Sequence, residues 1–438
     1  MIGSGLAGLS AAWRLARAGF DVSVWEREAR PGGRAAGESV DGYPLEPIGA
    51  VLSTADAALL DWIGEVGLRD ELLPLRPVLS AQLHRDRVVP IDRRSLLGVA
   101  RIPGLGWIPA LSLIRFPRLL ARYSARLDPV RPGRAAPLDD RSLADFGRLY
   151  FGPSVVDRWM APLAASRCLT TAEETSRAWF LRRQRSHGRD WCGMPRGRLG
   201  DLVEAAAGKL VVHTGVEVLG LEAGRGSRLR ISVRGDRAFE VDAAILATAA
   251  FDAARLAAPM LSSAERDGLG GVRYTPGIAV AVGLRRSFSP HPLEISYPPS
   301  EGSPLASALL EPGVPGGRVP GGQGLVTLRA TGAWSEAHMD APDDAVAREL
   351  GAAFERTHPD YRNAVGFQRV MRVARALPRF EVGRYRAIAQ FEGMQADWRR
   401  RGRRLYFAGD YRIDPSWNGA IISGTRAAVE VECDLAGS

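Results

Sequence analysis

Gly3-Ser4-Gly5-Leu6-Ala7-Gly8 runs directly into the helix-like stretch Leu9-Ser10-Ala11-Ala12-Trp13-Arg14-Leu15-Ala16. Eighteen residues after Gly8, Glu26 closes the strand-like stretch Phe20-Asp21-Val22-Ser23-Val24-Trp25. This order (tight turn, helix start, strand, acid) is a dinucleotide-binding fingerprint. Gly3 permits the turn out of a strand, Gly5 lets the backbone approach a pyrophosphate, and Gly8 lets the helix pack closely on the sheet. Leu6 and Ala7 lie at the helix N-terminus, which faces the negative charge. Glu26 stands where a carboxylate accepts hydrogen bonds from ribose hydroxyls. A lone GxGxxG is weak in a chain with 49 glycines. The helix behind it and the acid at this distance give it weight.

The fingerprint also predicts a full strand of about five or six residues before its first glycine. Only Met1 and Ile2 precede Gly3. Such a strand is central and paired on both sides, so the natural chain is expected to begin upstream of Met1.

The segment after Glu26 favours FAD over NAD. Arg27 is followed by Arg30-Pro31-Gly32-Gly33-Arg34-Ala35. A glycine pair at Gly32 and Gly33 lets amides approach a phosphate, and Arg34 offers a charge-assisted fork to the same group. A solvated Gly-rich turn is the plainer alternative. At the far end stands Arg404-Leu405-Tyr406-Phe407-Ala408-Gly409-Asp410-Tyr411, and after a loop Asn418-Gly419-Ala420-Ile421-Ile422-Ser423-Gly424. This predicts a short buried strand, a turn ending in an acid, and a helix opening on small residues. Small-residue approaches at both ends of the chain make most sense if they clasp one long cofactor.

On these motifs the chain resembles the flavoprotein superfamily of flavin amine oxidases, protoporphyrinogen oxidases and carotenoid or phytoene desaturases. The resemblance extends to Tyr43-Pro44-Leu45-Glu46-Pro47-Ile48-Gly49-Ala50, and to residues 211–218 followed by Val241-Asp242-Ala243-Ala244-Ile245-Leu246-Ala247-Thr248. It implies an α/β fold in which a Rossmann-like FAD-binding domain is interleaved with a mixed helical and β-sheet substrate domain. It implies non-covalent FAD, with Gly3, Gly5, Leu6, Ala7 and Gly8 at the pyrophosphate turn and Glu26 and Arg27 at the adenosine ribose. Gly33 and Arg34 would meet phosphate, Val216 would offer its backbone to the adenine, and Gly49 and Ala50 would run past the flavin ring. Gly409 and Asp410 would lie near the ribityl phosphate, and Gly419, Ala420 and Ile421 near the pyrimidine edge.

Length and composition fit this frame. A chain of 438 residues exceeds one ordinary core. The expected division is 1–75, 191–260 and 390–438 for the FAD-binding domain, and 76–190 and 261–389 for the substrate domain. The net charge of +9 is almost wholly arginine, because Lys209 is the only lysine. The arginines are spread along the chain without the interleaved aromatics of a nucleic-acid binder, so no nucleic-acid partner is expected. Cys168, Cys192 and Cys433 lie far apart and the six histidines stand singly. Neither a metal site nor a disulfide framework is expected, and a reducing, cytoplasmic compartment fits.

Residues 76–190 are expected to be mostly helical, a helix to begin at 197–203, a sheet to include 278–284, and 311–324 to form a mobile loop. The apolar stretch 102–120, with Trp107 and Phe116 and then Arg122 and Arg126, fits a lid over the substrate cavity. It also fits a peripheral contact with the inner face of the membrane, and the two are compatible.

An oxidised flavin accepts hydride from a C–H bond, so the protein must mainly position that carbon and exclude water. The absence of an evident acid–base constellation suits an apolar substrate, with oxygen or a quinone as electron acceptor. Many amine oxidases of this superfamily carry a lysine linked through water to the flavin. Lys209 falls in the nucleotide-binding half, so an amine oxidase ranks below a protoporphyrinogen-oxidase-like or desaturase-like enzyme. Tyr411 and Trp417 would supply part of an aromatic cage, and Arg379 or Arg384 would meet a substrate carboxylate. A flavin-binding protein without catalysis, acting as a membrane-associated partner, is the alternative of another class.

Overall fold

The computed structural model describes residues 1–49, 51–74, 79–93, 95–185, 192–226 and 228–436. Its first layer is a parallel sheet. Ser23–Trp25 pairs with Val211–His213, and Ala244–Leu246 pairs with Leu405–Phe407. Ile2 joins the two pairs by parallel bridges to Trp25 and Leu246. Met1 and Ile2 therefore fill the central position, tied by Trp25 N to Met1 O at 2.9 Å and Ala247 N to Ile2 O at 2.8 Å.

The helix Leu6–Arg17 buries Leu6, Leu9 and Leu15 together with the small residues Ala7, Gly8, Ser10, Ala11 and Ala12, which let its backbone come close to its neighbours. A side chain at Gly8 would put its Cβ 2.0 Å from Gly3 O, so only glycine permits the approach. The same face receives the last helix, Trp417–Ala436. There a Cβ at Gly424 would lie 2.1 Å from Ala7 O. Arg14 and Glu432 clip the two helices at the solvent edge, 2.8 Å apart.

The second sheet has seven strands, in the order Val365–Pro378, Tyr274–Leu284, Gly324–Ala330, Leu305–Pro312, Leu293–Ser296, Leu79–His84 and Arg87–Ile91. Only the pairing of Leu293–Ser296 with Leu79–His84 is parallel. The strand Tyr274–Leu284 alternates large and small residues. Ile278, Val280, Val282 and Leu284 pack into one core, while Ala279 and Ala281 meet Tyr43 and Leu45 on the other face. A helical layer from Leu96–Ala100 to Arg177–Arg185 covers the end of this sheet around Phe116, Phe146, Trp159 and Phe180.

Two expectations need correction. Residues 79–91, assigned to the helical stretch, form a hairpin. Arg85 and Asp86 both take positive φ, 52° and 59°, as a two-residue turn requires, and Ala81 and Leu83 alternate into the core. Neither turn residue is a glycine or asparagine, so the hairpin signal was faint. The Gly- and Pro-rich segment 311–324 is pinned rather than loose. Its Arg318 is buried, 2.9 Å from Glu46 and 3.2 Å from Glu311.

Candidate active site

A cavity of about 760 Å³ lies between the parallel sheet and the strand Val365–Pro378. Both ends of the chain line it. Gly3, Gly5, Leu6 and Ala7 come from the first turn, and Gly409, Asp410, Trp417 and Ala420 from the last segments. Gly3 has φ +97°, and a Cβ there would lie 2.9 Å from Ala247 O. A Cβ on Gly5 would meet no atom within 4 Å. The backbone at Gly5 thus borders open space, at the N-terminus of Leu6–Arg17, whose first amides have no intrahelical partners. Gly33 packs behind it, its Cβ position 3.6 Å from Gly5 Cα, and Gly32 N donates to Ser4 O at 3.1 Å. The two glycine turns form one surface.

Glu26 is buried at the rim. One carboxylate oxygen accepts from Ser4 N and Ser4 Oγ, each at 2.8 Å, and the other from Glu28 N at 3.0 Å. Val216 N donates to Glu26 O at 2.8 Å, bringing Val216 and Glu217 to the same wall. Arg27 and Arg34 line the cavity too. Arg34 makes a two-point ion pair with Asp410 and donates to Ala376 O at 2.8 Å. Burial pulls the Arg34 pKa down, but the Asp410 charge outweighs it and the net direction is up.

A smaller cavity of about 90 Å³ adjoins the first, with Pro47, Asp410 and Trp417 lining both. Gly49 lies at this junction. Trp417 Nε1 donates to Gly49 O at 3.3 Å, and Arg329 presses so close that a Gly49 Cβ would be 3.0 Å from its Nη1. The inner walls are apolar at Ile48, Leu169, Ile278 and Leu377 and cationic at Arg167, Arg183 and Arg329.

Several residues singled out in the sequence lie elsewhere. Gly8, Gly419 and Ile421 line neither cavity; they are packing positions, and a Gly419 Cβ would sit 2.4 Å from Asp414 O. Tyr411 is buried in the core with Phe391 and Phe407 and so forms no part of a cage at the junction. Arg379 is held between Glu174 and Glu336, 3.4 Å from each. Arg384 donates to Tyr411 O at 2.6 Å. Neither arginine borders the inner cavity, because both follow the end of their strand. Ala50 lies outside the described residues. Sequence reasoning missed Thr248, Ala249 and Phe251 on the outer wall, the edge strand from Arg369 to Arg375, and the three inner arginines. The buried arginine in the apolar run Gly324–Ala330 was the available clue, since an isolated charge in a central strand needs a purpose. Among the described residues no group of His, Cys, Asp or Glu is arranged to hold a metal ion.

The model of the family described as flavin containing amine oxidoreductase matches residues 6–432. The chain belongs to that family. The glycine surface described above suits FAD, a flavin dinucleotide of the kind the family's description implies. The chain is 33% identical over 167 residues to a protein of Mycobacterium tuberculosis named as the flavin-containing monoamine oxidase AofH, covering 37% of this chain and 34% of that one. It is 38% identical over 90 residues to the zeta-carotene-forming phytoene desaturase of Myxococcus xanthus, covering 20% of this chain and 17% of that one. The chain thus spans about a third or less of the length of these curated relatives. Among solved structures, a putrescine oxidase variant superposes with a TM-score of 0.79 at 17% identity, over 100% of this chain and 98% of that one. A protein from Exiguobacterium sp. 255-15 described as a protoporphyrinogen oxidase gives 0.75 at 15% identity, over 99% and 98%. These likenesses establish a two-domain amine-oxidase-like fold.

Proposed function

We propose that this enzyme removes hydride from a C–H bond of a largely apolar substrate, in the manner of a protoporphyrinogen oxidase or carotenoid desaturase rather than an amine oxidase. One observation carries the choice: the inner cavity sets Arg167, Arg183 and Arg329 among apolar side chains, while two of its three acids are engaged, Asp410 by Arg34 and Asp56 by Ser53, a balance that disfavours a protonated amine. Lys209 supports it, since its Nζ donates to Val66 O and borders neither cavity. Bound FAD supplies the hydride acceptor. The outer cavity would hold it, with the Gly3–Ala7 turn and Arg34 facing phosphate, Glu26 and Arg27 facing ribose, and Val216 beside the adenine. Gly49, Trp417 and Ala420 would border the ring, and the apolar inner walls would align the substrate carbon and exclude water. The segments 1–75, 191–260 and 390–438 would be the flavin-binding unit. Anaerobic mixing with a polyene, a porphyrinogen and a monoamine is the test. Bleaching of the yellow colour by either of the first two is expected; rapid bleaching by the amine alone would reverse the ranking.

The segment 102–120 favours a membrane contact over a lid. Trp107, Ile108, Leu111 and Ile114 are 74, 62, 57 and 65% exposed and line neither cavity. Arg101, Arg115, Arg118, Arg122 and Arg126, all exposed, flank them along the chain, and no acid occurs between Arg93 and Leu127. Exposed apolar side chains in a segment with exposed cations and no acids suit the interface of an anionic bilayer. Among the described residues no helix is long and apolar enough to cross a membrane. Flotation with phosphatidylglycerol vesicles, lost in Trp107→Ser/Ile108→Ser, is the expected result. Absence of flotation with anionic and neutral vesicles alike would remove the contact.

A further inference from the structure

Arg412 carries a buried charge that its surroundings do not answer. It ends the short turn Asp410–Arg412 and is 5% exposed. Among the described residues its guanidinium makes no hydrogen bond and no ion pair, and its Nε is buried without a partner. It lies over the Phe391 ring, 4.7 Å from the centroid, which offsets only part of the cost of taking a cation out of water. Burial, and then the charge of Arg426, draw its pKa down to about 10 against the pull of Glu392.

The same residue lines a separate cavity of about 370 Å³, which shares no residue with the other two. The turn Pro132–Leu138 and the helices Arg384–Arg400 and Trp417–Ala436 supply most of its wall. Arg131, Arg134, Arg399 and Arg426 line it beside Arg412, against the acids Glu392 and Glu430. Both acids are already engaged: Glu392 pairs with Arg426 at 2.6 Å, and Glu430 with Arg399 at 3.3 Å. Arg134 pairs with Asp128 at 3.2 Å, and Asp128 also accepts from Val130 N and Arg131 N at 2.9 Å each. The exposed Arg131 side chain has no ionic or hydrogen-bonded partner among the described residues. Two guanidiniums, one buried and one exposed, thus stand unanswered beside three paired ones.

We propose that this cavity binds a phosphate group, with Arg412 at its buried end and Arg131 at its exposed end. Inorganic phosphate or a phosphate monoester carries about 1.5–2 negative charges at neutral pH, which matches the two unanswered cations. Its tetrahedral oxygens accept from several planar forks at once, and arginine stays charged when buried. A monocarboxylate brings one charge and two acceptor oxygens, too few for the site. The phosphate comes either free in solution or as a lipid headgroup, and the two arms below separate these sources. The cavity lies apart from the proposed flavin and substrate sites, so phosphate binding stands or falls independently of them.

The test uses FAD-loaded protein, so that the glycine surface of the outer cavity does not compete for the anion. Calorimetry at constant ionic strength compares inorganic phosphate with acetate. Phosphate is expected to bind about tenfold more tightly than acetate, and Arg412→Gln to weaken phosphate by about tenfold with flavin content unchanged. Arg412→Lys, which keeps the charge and loses the fork, should fall between. Should Arg412→Gln fail to fold, Arg131→Gln decides, with a change in the same direction expected. The second arm is flotation with phosphatidylcholine vesicles, with and without phosphatidate. It is run in Trp107→Ser/Ile108→Ser protein, so that the exposed apolar segment does not contribute. Flotation on phosphatidate that is lost when Arg412→Gln is added assigns the phosphate to a lipid headgroup. Phosphate binding by calorimetry without such flotation assigns it to a soluble ligand. Acetate bound as tightly as phosphate, or no dependence on Arg412 (or on Arg131, where that variant decides) in either arm, would overturn the proposal.

Discussion

Arg34 and Asp410, 376 residues apart in the chain, meet in a two-point ion pair with both contacts at 2.7 Å. One comes from the turn after the first sheet strands and the other from the turn after the last, so the pair closes the cavity across the whole polypeptide. Asp410 is almost wholly buried, 3% exposed. Breaking a buried pair leaves an uncompensated charge and costs about 3 kcal/mol. Asp410→Asn is expected to lower both thermal stability and flavin content. Arg34→Met/Asp410→Leu, which removes both charges, should recover stability beyond either single variant without restoring flavin. Melting temperature and the ratio of visible to ultraviolet absorbance measure the two effects.

Gly3 and Gly5 differ in what they protect. Gly3→Ala meets both a positive φ and Ala247 O, so the apoprotein itself should be destabilised by about 2 kcal/mol or more. Gly5→Ala meets nothing, so the apoprotein should melt as wild type does. Its added methyl projects into the outer cavity, and FAD affinity should fall about tenfold, equivalent to about 1.4 kcal/mol. Fluorescence titration with FAD, beside the melting temperature of each apoprotein, checks both.

Glu26 does two jobs with one carboxylate. It satisfies Ser4 N and Glu28 N while standing at the cavity rim. Glu26→Ala leaves the buried Ser4 amide without this partner, a cost of about 1–3 kcal/mol, and is expected to lose flavin as well. Glu26→Gln keeps an acceptor oxygen and should lie between the two in both measurements.

The pH dependence of stability is expected to trace partly to Glu265 and Arg403. Glu265 is fully buried, with Gln395 Nε2 at 2.6 Å, Ser262 Oγ at 2.9 Å and Arg403 Nη1 at 3.1 Å from its oxygens. Burial pushes its pKa up, but the Arg403 and Ser262 hydrogen bonds outweigh it and the net direction is down. A carboxyl lowered by folding contributes stability above its unfolded pKa of about 4.3, and loses it as pH falls through the folded value. Wild-type protein should therefore lose melting temperature more steeply than Glu265→Gln between about pH 5 and pH 3. At neutral pH the variant should be the less stable of the two.

The nucleotide-binding half was legible because its chemistry is local. Gly3, Gly5, Glu26, Gly33 and Arg34 act through backbone approach and short spacing, which a sequence displays directly. Asp410 was legible for the same reason, standing at the end of a short apolar strand. The hairpin at 79–91 was hidden by a turn built from Arg85 and Asp86. The inner arginines were hidden because only the packing of the helices Ala161–Cys168 and Arg177–Arg185 near the sheet brings Arg167 and Arg183 to the same cavity as Arg329. Arg379 and Arg384 were nearer to a family-like motif, yet surface acids and a backbone carbonyl occupy them.

The contact between Leu6–Arg17 and Trp417–Ala436 also bears on biosynthesis. The first helix leaves the ribosome long before its partner exists and must wait with an uncovered alanine face. A message cut short within its last thirty or so codons would still encode the helical layer and the larger sheet, but would leave the dinucleotide fold without a wall. Such products should be captured by chaperones or cleared by proteases, rather than accumulate as colourless but otherwise native protein.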